Sequence, residues 1–177
     1  PQGVQAGRHA GRRVPPQRLH AEAAEVRYGA PRMPSTWIFQ GKPEIWDGTA
    51  GVELIDIHWV VRQHKGDIQP GDTVYIWQSG PEAGIIAVAT VTSPPALSED
   101  SEAEIELYPD GPPPDFQGKQ IRVNLHVDRS LLPQITKAEL LDHPVLRNLR
   151  IIRNPRGTNF LVSDEQAAEL TNLVSVH

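Results

Sequence analysis

Hydrophobic and polar positions are most regularly ordered in the middle of the chain. Residues 58–64 start apolar and exit polar, residues 69–72 supply a Pro-Gly-Asp turn, and residues 73–79 and 84–92 are two further apolar runs of strand length. Three adjoining strands of one sheet are expected. In the middle strand Val74, Ile76 and Gln78 share one face, and Tyr75, Trp77 and Ser79 share the other, because strand side chains alternate. The first set suits a core. The second, two aromatics and a hydroxyl beside Gly80, is the face on which a ligand is expected.

Upstream, residues 35–40 alternate Trp37 and Phe39 against Ile38, and Pro43 ends that strand. Residues 44–57 hold a turn at Asp47 and Gly48 and an apolar set long enough for one helical turn. Residues 104–108 are expected as an edge strand. Over residues 120–128, Ile121, Val123, Leu125 and Val127 face inward and Arg122, Asn124, His126 and Asp128 outward. Further strands are expected at 149–153 and 158–162. Thr136 with Glu139, and Ser163 with Gln166, stand at capping-box spacing, predicting a short helix broken at His143 and Pro144 and a last helix running to Leu173. Strands first and short helices at the ends give an α+β chain, a small open or closed β-barrel with peripheral helices.

Composition separates the amino terminus from the rest. Arg8, Arg12, Arg13, Arg18, Arg27 and Arg32 face only Glu22 and Glu25, so residues 1–34 are read as a basic arm or extension ahead of a domain spanning 35–177, with the sole methionine, Met33, as a natural start. The formal charge of −5 conceals an acidic run at 98–106 and a basic segment at 119–156. Cysteine is absent, which excludes disulfides and thiolate zinc sites. No apolar run reaches bilayer-spanning length, so the expectation is a cytoplasmic protein without a membrane partner.

Catalytic signatures are missing. His58, His64, His126 and His143 lack metal-ligand spacing and are each read as surface or internally satisfied histidines; no metal and no cofactor is expected. Residues 78–84 are glycine-rich but lead into a strand without Lys-Ser/Thr, a hairpin connection and no phosphate cradle. An aromatic-rich sheet with basic residues is the inventory of a protein that stacks a base and neutralises a backbone, a binder and not an enzyme.

These residues resemble a known family, the EVE domain, of the PUA-like superfamily that also contains the YTH readers of modified RNA. The likeness is carried by Trp37 to Gly41 with Pro43; by Trp59, Arg62, Gln63 and His64; by Ile68, Gly71 and Asp72; by Val74 to Trp77 with Ser79; and by Gly84 to Ala87. Gly157 to Phe160 and the helix that follows complete it, over residues 36–174. The resemblance implies a PUA-like β-barrel whose pocket accepts a flipped modified base of DNA, 5-methylcytosine or 5-hydroxymethylcytosine. It also implies a bacterial type tied to modification-dependent restriction, with a fused or associated nuclease or GTPase. Lys42 departs from the asparagine expected at its position and offers a phosphate contact instead. On this basis Trp37, Trp59 and Trp77 are expected to stack, Gln40, Ser79 and Asn159 to read the base edge, and Lys42, Arg62, Lys119, Arg122, Arg153 and Arg156 to hold phosphates, with Trp46 left to the core. The alternatives are a reader of modified RNA, an ASCH-like amidohydrolase using Lys42 with Glu44 or Lys65 with Asp67, and a protein-interaction module using the acidic run.

Overall fold

The computed structural model describes residues 32–177; residues 1–31, most of the expected arm, lie outside the described residues. Seven strands carry the fold: β1 (Thr36–Gly41), β2 (Asp56–Val60), β3 (Thr73–Gln78), β4 (Gly84–Val91), β5 (Ala96–Ser98), β6 (Gln120–Thr136) and β7 (Asn159–Val162). Five short helices intervene: α1 (Gly48–Gly51), α2 (Glu102–Ile105), α3 (Lys137–Asp142), α4 (Arg150–Arg153) and α5 (Asp164–Val176). The strands form one curled mixed sheet, a half-barrel of order β2-β6-β4-β3-β1-β7, in which β1 and β3 run parallel and β5 pairs with β6.

Three expectations about elements are corrected. β2 does not adjoin β3, because the 17-residue β6 pairs with both β2 and β4 and separates them from each other. Alternation along β6 is clean only to Asp128; beyond it, register shifts opposite β4 interrupt the period that marked the strand. Residues 102–105 are helix and not edge strand, because Ser101 and Glu104 close a capping box, and β5 takes the edge instead. Residues 150–153 form α4 where a strand was expected. The two predicted capping boxes, at Thr136 and Ser163, form as read and open α3 and α5.

The sheet is buried on both faces. Inside the curl, Trp37, Phe39, Val74, Ile76, Val123 and Leu125 pack together. On the outside, Ile38, Tyr75, Trp77, Ile85 and Leu131 pack beneath Leu140, Ile151 and Leu170 of the helices. The face of β3 expected to be open for a ligand is therefore a second core. No helix among the described residues is long and apolar enough to cross a membrane.

Candidate functional site

The two edges of the curled sheet meet at a seam without ladder hydrogen bonds. Side chains bridge it: Asn159 Oδ1 accepts from the N–H of Arg62 at 3.0 Å, and Gln63 Oε1 accepts from the N–H groups of Thr158 and Asn159 at 2.9 and 3.2 Å. Gln40, at the end of β1, donates from Nε2 to the carbonyls of Gly157 and Pro155 at 2.8 and 3.2 Å. These amides hold the exits of β1 and β2 beside the loop before β7, and a cavity of about 600 Å³ opens there.

Aromatic rings form much of its wall. Trp46 and Trp59 meet edge to face, with centroids 5.8 Å apart at 85°, and Tyr108 and Phe116 line the same cavity as a tilted pair at 6.3 Å. Trp46 is anchored by its Nε1–H, which donates to the carbonyl of Glu104 at 3.2 Å. Arg62 lies over the Phe116 ring at 5.2 Å and approaches Asp115. Lys42 and Arg156 complete the border, exposed and without an ion pair among the described residues.

Behind the aromatics lie two buried charge systems. Glu104, 1% exposed, accepts from the His58 N–H, from His58 Nδ1 at 2.7 Å, and from the Ser101 N–H and hydroxyl at 2.8 Å each. Burial is the largest single influence and opposes ionisation, yet these hydrogen bonds together outweigh it and hold the carboxyl below the usual glutamate range. Arg122 is fully buried. Its Nη2 donates to Asp100 Oδ2 at 3.0 Å and to the Phe116 carbonyl at 2.8 Å, and Nη1 donates to the Gly118 and Ser98 carbonyls. Its Nε, 2.9 Å from Asp100 Oδ1, lies off hydrogen-bond geometry and makes a charge contact only. Tyr108 donates to Asp100 at 2.9 Å; burial first, then the Asp100 charge, pushes its phenol up, so it stays a donor.

The sequence-expected residues divide accordingly. Gln40, Lys42, Trp59, Arg62 and Arg156 border the cavity. Trp37 does not: it is 1% exposed inside the curl, its Nε1–H donates to Asp72 at 2.8 Å, and no face is open for stacking. Trp77, 3% exposed, belongs to the outer core. The Ser79 hydroxyl donates to the Gly41 carbonyl at 2.9 Å and closes the β1–β3 end. Asn159 is buried behind the seam and holds backbone; its Nδ2 is buried without a partner. Arg122 braces the 98–118 segment and cannot reach a phosphate, while Lys119 and Arg153 are exposed away from the cavity border.

Sequence reasoning missed Trp46, His58, Glu104, Tyr108 and Phe116. Only Glu104 had a local signal, the Ser-x-x-Glu spacing from Ser101 that marks a helix start. Among the described residues no group of three His, Cys, Asp or Glu could hold a metal ion.

The model of the EVE domain family matches residues 35–173. Among curated proteins none matches the sequence significantly. Solved structures of the same fold include a hypothetical protein from Leishmania major, 18% identical with a TM-score of 0.57 over 80% of this chain and 94% of that one. A Pseudomonas putida protein is 19% identical with a TM-score of 0.56 over 78% and 99%. Human THYN1 protein, in complex with DNA containing 5-methylcytosine, is 15% identical with a TM-score of 0.54 over 78% and 96%.

Proposed function

The chain belongs to the EVE domain family, and from that premise we propose that its seam cavity holds a modified base of DNA, 5-methylcytosine or 5-hydroxymethylcytosine, turned out of the duplex. The observation that carries this reading is the placing of four aromatic rings and two cations, unpaired among the described residues, around one cavity of about 600 Å³, a volume within the range of roughly 300–1,000 Å³ typical of small-molecule sites. A structure of the same fold, human THYN1, is bound to DNA containing 5-methylcytosine, which supports the choice of ligand.

The energetics set the division of labour. Unstacking and extruding a base costs a few kcal/mol, and stacking on an aromatic wall returns about 1–3 kcal/mol. Trp46 and Trp59 supply that wall, while Lys42, Arg62 and Arg156 on the border take the flanking phosphates, and their contribution falls as salt rises. We read the site as a binder; of the residues weighed for an amidohydrolase, Lys42 with Glu44 and Lys65 with Asp67, Lys42 alone borders the cavity. The family resemblance further supports a cytoplasmic recognition role in a modification-dependent restriction system, with cleavage left to a nuclease or GTPase partner.

Fluorescence anisotropy at fixed salt tests the reading, with duplexes that differ at one cytosine C5 and RNA of the same sequence. One buried methyl group is worth about 0.8 kcal/mol, so the methylated DNA duplex binds about fourfold tighter than the unmodified one. Equal affinity for all the duplexes contradicts the proposal.

A further inference from the structure

We propose that His58, oriented by the buried carboxylate of Glu104, reads the C4 amino group of the bound base, so that the cavity accepts 5-methylcytosine and rejects thymine. The proposal rests on the base-binding reading above and adds the group that makes the choice. An apolar wall suited to a C5-methyl group cannot make it, because thymine carries the same methyl in the same place. The two bases differ at C4, where cytosine presents an amino donor and thymine a carbonyl acceptor. A polar group of defined sense is therefore required.

The geometry around His58 defines that sense. Glu104 is held ionised behind the wall by the hydrogen bonds described above, so its Oε2, 2.7 Å from His58 Nδ1, can only accept. Nδ1 must carry the ring proton, and in the neutral ring Nε2 then has a lone pair and no hydrogen. His58 borders the cavity with its side chain 27% exposed, and Nε2 has no partner among the described residues. An acceptor so placed pairs with the cytosine amino group and opposes the thymine O4. Leaving Nε2 unpaired, or facing a second lone pair, lowers affinity about tenfold or more. Glu104 acts through His58 and is a positioning residue.

The full chain is titrated with three duplexes carrying one 5-methylcytosine, one cytosine, or one 5-methyl-2-pyrimidinone, all opposite guanine; the last lacks only the C4 amino group. The wild type is expected to bind 5-methylcytosine about tenfold tighter than the pyrimidinone. His58→Phe abolishes that difference and keeps the preference for methylated over unmethylated cytosine. The imidazole 15N spectrum of the wild type is an independent reading: Nδ1 protonated, Nε2 unprotonated and shifting upfield when methylated DNA binds, with Glu104→Gln losing the fixed tautomer. A wild type that prefers methylated DNA but ignores the amino group overturns the role of His58 alone, as does a proton on Nε2. A His58→Phe variant that weakens all three duplexes equally also overturns it. No preference for methylation in the wild type overturns the base-binding reading and this one with it.

Discussion

Replacing Gly51 with alanine perturbs the cavity wall without removing any residue that borders it. Gly51 closes α1 with φ −61° and ψ −42°, a right-handed conformation that alanine adopts readily. Local propensity would favour the substitution by up to about 1 kcal/mol. The space does not: a Cβ there would lie 2.0 Å from Trp46 Cη2, 2.5 Å from Cζ2 and 2.6 Å from Cζ3. Carbon atoms settle at about 3.5–4.0 Å, so the indole has to move by about 1.5 Å. Overpacking of this kind costs about 1–3 kcal/mol, which after the full helical gain leaves a net loss of up to about 2 kcal/mol. Movement on this scale also breaks the edge-on contact with Trp59 and the hydrogen bond to the Glu104 carbonyl. If Trp46 seats the base, affinity for methylated DNA falls at least about fivefold, the lower end of what one stacking ring supplies. Urea denaturation, tryptophan fluorescence and DNA anisotropy read the three effects. A Gly51→Ala protein with native stability, unchanged emission and full affinity would refute the reasoning.

Three further outcomes follow from the same contacts. Arg122→Met strands Asp100 without its cation and should lower stability by about 3–5 kcal/mol, read by urea denaturation, with no change in the salt dependence of DNA binding. Lys42→Ala and Arg156→Ala should each weaken methylated and unmethylated duplexes alike and reduce the slope of log affinity against log salt by about one, measured by salt titration. Because the folded protein holds Glu104 below its ordinary value of 4.5, the unfolded chain binds more protons in that window. Stability from this group is complete above pH 4.5 and drains away as the pH drops through the lower folded value. Denaturation midpoints across this acid range should fall more steeply for the wild type than for Glu104→Gln.

The barrel was legible in the sequence because its strands obey the period of two and its caps are local. β1, β3, β4 and β7 lie within a residue or two of where alternation placed them, and the Thr136 and Ser163 caps form from four-residue signals. The site was legible only in part. Gln40, Lys42, Trp59, Arg62 and Arg156 border the candidate cavity, whereas Trp37 and Trp77 are buried away from it, because alternation assigns a residue to a face without saying whether that face is open. In this chain both faces of β3 are covered, one by the curl and one by helices far downstream. Arg122 shows the same limit from the polar side: its outward position in the alternation is closed by a segment that folds over it and supplies Asp100 and three carbonyls. The pairing of His58 with Glu104 spans 46 residues and has no sequence signature.

The central claim is that the modified base leaves the duplex and enters the seam cavity. An intermolecular NOE experiment tests it most directly, using a duplex with one 13C-methyl-labelled 5-methylcytosine bound to the wild-type chain. Cross-peaks from that methyl group to the indole protons of Trp46 or Trp59, with loss of its contacts to neighbouring bases, are the predicted result. A methyl group that keeps its stacking contacts in the duplex and shows none to either ring would contradict the account.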